Sequence, residues 1–441
     1  MYKEIFELAK SKGIESLELY IYEGREVAVS LFHSEIDDYR INSDFMLSAR
    51  GIFEGKMGYV RAEKYDNKTA KFLVDNIIKN AKLITSSDKV SIYAGDKEYK
   101  KINVFNPALA EVSMAEKIAF IKQIEKEALA YNPAIVEVAS NSYSEASSKV
   151  TIINDKGLNL TRENNQIVYY LDVVARKDNE DKTGSYIFVD NDFQKLNTSK
   201  IVKEACDEAL SKLGSKAVKS GPYDVVLDAK MMSALLGFVV SNCYASNIQD
   251  GFSIWKDKLG TKVGGDNFTL IEDPWLENSI VSTGFDDEGV ATKPKTIIEK
   301  GVLKTYLYNL KRALKDDVKS TGNGYRSGGV VGISVRNAYL VAGKSKKEEL
   351  FAKMQDGLYI TELQGMHAGL DSISGNFSLQ ASGYVIKNGQ KERPVSVITV
   401  AGNLYTMLHN LVELSDEQDF YFNPSIKGPS AWIKGLVIAG L

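Results

Sequence analysis

Histidine and cysteine are scarce, with three His and two Cys in 441 residues. That leaves few ligands for a transition metal and too few thiols for a disulfide framework. Cys206 and Cys243 each fall in an apolar helical pattern and read as buried thiols. Also missing is any uncharged apolar run of the ~18 residues that a membrane-spanning helix needs. Met1-Tyr2-Lys3-Glu4 passes straight into an amphipathic helix without an apolar signal core, so the expectation is a cytoplasmic protein with no membrane partner. Nor is there an excess of basic charge. Lys and Arg number 55 against 58 Asp and Glu, and no basic cluster is interleaved with aromatics, which argues against a nucleic-acid groove.

What is present is a globular composition, 44% hydrophobic and 26% charged, with room for two or three domains. Ile5, Leu8 and Ala9 mark one helical face, stopped at Gly13. Leu17, Leu19 and Ile21, then Val27, Val29 and Leu31, alternate with outward residues and read as successive strands of a meander. His33 ends that series as a solvated side chain. Gly55 turns a hairpin, and Asp66 caps a helix whose apolar stripe is Phe72, Leu73, Ile77, Ile78 and Ala81. A polar linker from Thr85 to Asp88 and loosely patterned residues up to Pro107 follow. Ser113 and Glu116 then form a capping box, ahead of strands over 135–138, 149–154, 166–174 and 186–189 and a helix over 198–213. The pattern predicts an α+β protein: N-terminal helix-plus-antiparallel-sheet units at 1–105 and 106–216, then a β-rich C-terminal domain at 217–441, entered through the small, basic, Pro-terminated stretch 214–222.

Glycines punctuate that last domain. Thr321-Gly322-Asn323-Gly324-Tyr325-Arg326-Ser327-Gly328-Gly329 is followed by Gly365-Met366-His367-Ala368-Gly369, Ser374-Gly375-Asn376-Phe377-Ser378 and Ala401-Gly402-Asn403. Glycine lets a backbone or ligand approach closely, so glycines beside a His and small hydroxyl residues read as a cleft wall. Gly322, Asn323, Gly324, His367, Gly369, Ser374, Gly375, Phe377 and Ser378 are the candidate lining residues. Lys387-Asn388-Gly389 signals a hairpin. The helical pattern over 229–245 has a broad apolar face of Met232, Leu235, Leu236, Val239, Val240 and Cys243, with neither a histidine nor an acidic residue.

In order and spacing, Asn42-Ser43-Asp44, Gly284-Phe285-Asp286-Asp287-Glu288-Gly289, the Thr321–Gly324 loop, Ser374-Gly375-Asn376-Phe377-Ser378 and Pro394-Val395 ahead of Ala401-Gly402-Asn403-Leu404 resemble the TldD/PmbA family, once called modulators of DNA gyrase. The resemblance covers nearly the whole chain. In that family a TldD-type subunit holds zinc through an HExxxH helix and a C-terminal cysteine, and pairs with a PmbA/TldE-type subunit that lacks them. The 229–245 helix stands where that motif would fall, and no cysteine follows Asp416. The resemblance therefore implies a PmbA-type chain with no metal ligands or cofactor of its own, zinc being expected only in a TldD-type partner. It further implies a cytoplasmic peptidase, a heterodimer with that partner, that trims or degrades small unfolded polypeptides; a homodimer goes with the alternative reading as a binding regulator.

Other chemistry competes with that reading. His409 and Glu413 are spaced to share a helix flank, as an i,i+4 pair and not a metal site. Ser86 to Lys89 and Ser253 to Lys256 fit SxxK, a pattern that serine and lysine abundance alone produces. His367 is the one catalytic candidate, a potential general base between glycines. Asp286, Asp287 and Glu288 read as a solvated acidic turn. The alternatives to a peptidase subunit are a non-enzymatic peptide- or protein-binding regulator and a metal-independent serine hydrolase.

Overall fold

Apolar and polar residues alternate through positions 16–53, and the backbone answers with one long hairpin. Strands β1 (Ser16–Phe32) and β2 (Glu35–Phe53) pair antiparallel along their length. The meander expected from Leu17 to Leu31 is thus corrected to a single strand. At its polar midpoint Gly24 stands opposite Asp44 on one side and Ser148 on the other, so pairing on both flanks satisfies the backbone where side-chain burial cannot. The computed structural model describes residues 2–327 and 330–441; Gly328 and Gly329, which close the first glycine-rich run, and Met1 lie outside the described residues.

With β3 (Lys56–Ala62), β4 (Ile135–Asn154), β5 (Asn159–Lys177) and β6 (Glu180–Asp190), the hairpin forms a six-stranded antiparallel sheet ordered β3-β2-β1-β4-β5-β6. The short runs expected at 135–138 and 149–154 likewise belong to one strand. Pairing of β1 with β4 joins the two sequence units into one sheet. Helices α1 (Lys3–Ser11) and α2 (Thr69–Lys82) cover one end of it, around Ile5, Leu17, Leu73 and Ile77. After the single turn of α3 (Ala108–Glu111), helices α4 (Met114–Tyr131) and α5 (Thr198–Ser211) cover the other, around Ile121, Ile124, Tyr169 and Cys206. Gly58 and Gly184 are where α2 and α5 touch the sheet: a Cβ there would stand 2.0 Å from the Ile77 carbonyl oxygen and 2.2 Å from that of Ala205. The Ser113–Glu116 capping box forms as expected. Helix α2 differs at its start, beginning at Thr69 while Asp66 Oδ1 accepts from the Lys68 N–H at 2.9 Å, and Phe72 faces solvent.

The C-terminal region is β-rich, as expected. Strand β7 (Gly221–Leu227) leads into α6 (Ala229–Ser241). The short strands β8 (Leu270–Glu272), β9 (Lys295–Glu299) and β10 (Val302–Leu303) join β13 (Ala338–Leu340) and β18 (Ile426–Lys427) in a five-stranded sheet, and β11 (Gly324–Ser327) pairs with β12 (Val330–Ile333). The last sheet runs β16 (Gln390–Asn403), β15 (Asn376–Lys387), β14 (Gly357–Gln364), β7, β19 (Ala431–Ala439), β17 (Leu411–Leu414). Because β16 also pairs with β19 through Thr399–Ala401, five of its strands close into a ring, which removes exposed edges. The Asn388-Gly389 turn has positive φ at both residues, 51° and 75°, as a two-residue hairpin with the sheet's twist requires. Met232, Leu236, Val239 and Val240 of α6 are fully buried in the core of this region.

The residues between α2 and α3 act as a strap. Tyr93 and Ile92 carbonyls accept from Asn154 Nδ2 (2.6 Å) and Lys156 Nζ (2.8 Å) at the sheet, while Tyr99 Oη donates to the Gly289 carbonyl (2.8 Å) and Asp96 Oδ2 accepts from the Ala291 N–H (2.8 Å) in the C-terminal domain.

Candidate functional site

The acidic turn is one of the points at which the two halves of the chain meet. Asp286, Asp287 and Glu288 are 5%, 2% and 1% exposed, so the expectation of a solvated turn is overturned. Three arginines and the backbone make that burial tolerable, since a buried charge must be paired and hydrogen-bonded. Arg50 Nη1 donates to Glu288 Oε1 at 2.8 Å and its Nη2 to Glu18 Oε2 at 3.1 Å. Arg326 pairs with Glu18, its Nε donates to the Asp287 carbonyl at 3.0 Å, and its N–H reaches Asp287 Oδ2 at 2.8 Å. Arg162 pairs with Asp287 and donates to the Phe285 carbonyl at 3.2 Å; Tyr20 Oη completes the set at 3.2 Å from Asp287 Oδ1. Residues from β1, β2, β5 and β11 thus converge on one three-residue turn.

Two neighbouring carboxyls are driven in opposite directions. For Asp287, burial opposes ionisation, yet Arg162, Arg336 and the Arg326 N–H together hold its carboxyl below the usual range. For Asp286, burial and then the charge on Glu288 raise the pKa to about 8, against three backbone N–H donors from Glu288 (2.9 Å), Val290 (3.0 Å) and Gly324 (2.7 Å). A carboxyl near neutrality beside a cleft is a candidate for function as well as for structure.

Above this cluster lies a cavity of about 1250 Å³, between the sheet and the C-terminal domain. Tyr22, Phe45, Tyr99 and Phe285 give it apolar patches, and Lys100, Lys101, Arg162 and Arg336 give it positive charge. Phe285 packs with Tyr20, Val150 and Ile152 of the sheet and Leu158 of the β4–β5 turn, so the cavity wall is continuous with a small shared core. Sequence reading did not single out Glu18, Arg50, Arg162, Arg326 or Arg336. A usable signal existed in Ala49-Arg50-Gly51-Ile52, a guanidinium inside an apolar run.

The expected lining residues fall into two surroundings. Gly322, Asn323 and Gly324 are buried: Gly324 N–H holds Asp286, and Asn323 Nδ2 donates to both Glu272 carboxylate oxygens at 2.8 and 3.0 Å. His367, Ser374 and Ser378 are exposed, Gly369 is half-buried, and Gly375 and Phe377 are buried beneath them. This second loop is fastened to the end of α6, with Ser372 O accepting from Asn242 Nδ2 (3.3 Å) and Tyr405 Oη (2.9 Å), and Asn403 Nδ2 donating to Ser374 O (2.8 Å). None of these nine residues lines the 1250 Å³ cavity.

Other candidates separate further. The helix Leu404–His409 ends at His409, and Glu413 lies on β17, paired with Lys353 and Ser345; the expected i,i+4 pair does not form, because the chain turns at Asn410. His33 sits in the β1–β2 turn against the Phe32 ring. Ser253 Oγ is committed to the Asn242 carbonyl at 2.8 Å. Cys206 and Cys243 are buried free thiols, and burial pushes the Cys206 thiol up to about 12 and raises Cys243 further. Among the described residues no group of three or more His, Cys, Asp or Glu is placed to hold a metal ion, and no helix is long and apolar enough to cross a membrane.

Comparison with known proteins agrees with this architecture. Residues 107–213 match the PmbA/TldA metallopeptidase central domain, and residues 220–440 match the C-terminal domain of the same family. Metalloprotease PmbA of Escherichia coli O157:H7 is 27% identical, over 98% of this chain and 94% of its own. A crystal structure from Thermotoga maritima MSB8, described as a candidate modulator of a DNA gyrase, superposes with a TM-score of 0.91 and 31% identity over 99% of both chains. TldE from Thermococcus kodakarensis shares the fold, with a TM-score of 0.90 at 23% identity over 99% of this chain and 100% of its own. On these matches and this fold, the chain belongs to the PmbA/TldD metallopeptidase family.

Proposed function

We propose that this chain is the zinc-free subunit of a two-chain Tld-type peptidase, and that it holds unfolded polypeptide for cleavage at a zinc-bearing partner. The observation that carries the proposal is α6. Its inward side chains are methionine, leucine and valine, and it offers no imidazole or carboxylate. A zinc hydrolase needs two or three His, Cys or carboxylate ligands and an open position for water. The chain's donors do not fit that need: its histidines stand on three separate elements, and both thiols are kept protonated by burial. No step is therefore routed through a metal in this chain.

What the chain does offer is surface for a second chain and for an extended ligand. Strand β3 covers β2 only from Leu47, leaving Glu35–Met46 with β1 on one side and, among the described residues, no strand on the other. Phe32, Ile36, Tyr39 and Ile41 are 46–51% exposed there. An open strand edge with apolar side chains invites pairing with another chain, and we assign the partner contact to it. The loop carrying His367, Ser374 and Ser378, beside the end of α6, is the candidate rim of the shared chamber.

Metal analysis and reconstitution test this reading. The purified chain is expected to carry no stoichiometric zinc and to leave a disordered polypeptide intact, and to support its cleavage once mixed with an HExxxH-bearing relative from the same source. Zinc near one per chain, or cleavage by the chain alone, would overturn it. A mixture that binds polypeptide without cutting it would favour the regulator reading.

A further inference from the structure

We propose that the cavity between the N-terminal sheet and the Asp286–Glu288 turn binds the terminal carboxylate of an extended peptide, with Arg336 and Lys100 as its cationic anchors. From the preceding reading it takes only that the ligand is a polypeptide.

The floor of the cavity is already balanced, Arg162 by Asp287 and Arg326 by Glu18. Its walls are not. Among the described residues, Arg336, Lys100 and Lys101 line the cavity without an ion pair, and Asp44 is the one lining carboxylate in the same position. The Arg336 guanidinium lies 5.6 Å from the centroid of the Tyr325 ring, and the Lys100 ammonium 5.7 Å from that of Trp275, which lines an adjoining cavity that Lys100 also borders. Contact with a ring face restrains a cation while leaving its N–H donors free. Arg336 is also anchored through its backbone N–H, which donates to Glu272 Oε1 at 2.7 Å, so the side chain projects from a fixed point. A planar guanidinium with free donors matches a carboxylate through two parallel hydrogen bonds.

The rest of the cavity suits a chain behind that carboxylate. The Lys101 and Asn103 N–H groups, which an extended strap turns to the same side, have no hydrogen-bond partner among the described residues, so an extended ligand can pair with them as an added strand. Tyr22, Phe45 and Phe285 provide side-chain contact without a deep specificity pocket. At about 1250 Å³ the space exceeds the roughly 300–1,000 Å³ of a small-molecule pocket, and so admits several residues. Sequence-tolerant capture by backbone and end group is what a handler of unfolded chains requires.

The test is fluorescence anisotropy with the full chain alone, using a short labelled disordered peptide as free acid and as C-terminal amide. The acid is expected to bind about tenfold more tightly, about 1.4 kcal/mol. Arg336→Gln should remove most of that difference and leave amide binding unchanged, while Arg336→Lys should restore part of it. Lys100→Gln, on the exposed strap, gives a second reading should Arg336 variants fold poorly, and should narrow the difference. Equal binding of acid and amide, an undiminished preference in both glutamine variants, or competition by inorganic phosphate as effective as that by unlabelled acid peptide would each sink the proposal. Since no partner is present, these outcomes are separate from the cleavage test: a carboxylate site can survive failure of the two-chain reading, and the reverse.

Discussion

Helix α6 and the Asp286–Glu288 turn are both closed to solvent in the C-terminal half, and they reach that state by opposite routes. The helix is buried by its own composition, with a leucine, valine and methionine face that needs only a surrounding core. The turn is buried by residues more than a hundred positions away, Glu18, Arg50 and Arg162, together with Arg326. One region is therefore stable against changes of charge around it. The other contributes to holding the sheet to the C-terminal domain only while its set of charges is complete, beside the strap and the small core around Phe285.

The sharpest way to break the contrast is to remove one cation. Arg50→Ala leaves Glu18 and Glu288 facing each other in a buried site, and loss of one member of a buried ion pair costs about 3–5 kcal/mol. Chemical denaturation should show that loss, and a change within about 0.5 kcal/mol would mean that water reaches the cluster. Next in size is the apolar counterpart. Met232→Ala in α6, at 0% exposure, should cost about 2–5 kcal/mol through lost contacts and the cavity left behind. That loss should be the same at every pH between 5 and 8, as no ionisable group is involved.

The contrast also explains what could be read from the sequence. The five-strand ring's hairpin at Asn388-Gly389, the Ser113–Glu116 cap and the apolar face of α6 are local patterns, and the structure contains them. The strands run longer than the alternating pattern indicates where polar residues interrupt it, at Gly24 and around Ser142 to Ser148, because pairing on both sides sustains a strand that local pattern does not mark. The cavity was invisible for a different reason. Its residues come from β1, β2, β3, β4, β5, the strap and the C-terminal domain, and nothing local distinguishes a lone Arg162 or Arg336 from a surface arginine. Glycine clustering marks real close approaches, and at Gly324 the approaching groups are the chain's own Glu288 and Asp286 side chains.

The smallest effect expected is the most specific to the turn. Asp286 titrates at about 8 in the folded chain and at an ordinary carboxyl value near 3.8 when unfolded, so folding takes up a proton between those limits. Its contribution is therefore fully present below pH ~4 and is lost as pH rises through 8, with a ceiling of about 1.4 kcal/mol per pH unit for one proton. Asp287 works the other way: its stabilisation is present above its unfolded value and disappears only in acid, so it does not mask the effect near neutrality. Asp172 and Asp419, also raised by burial, add a background slope of the same sign. The informative quantity is thus the difference between the wild type and Asp286→Asn. The variant loses one side-chain acceptor for a backbone N–H and should be less stable at pH 5.5, but the gap should shrink steadily towards pH 8. A gap that stays constant over that range would mean that Asp286 is ionised throughout, held by its three N–H donors, and that the turn is as indifferent to pH as the helix.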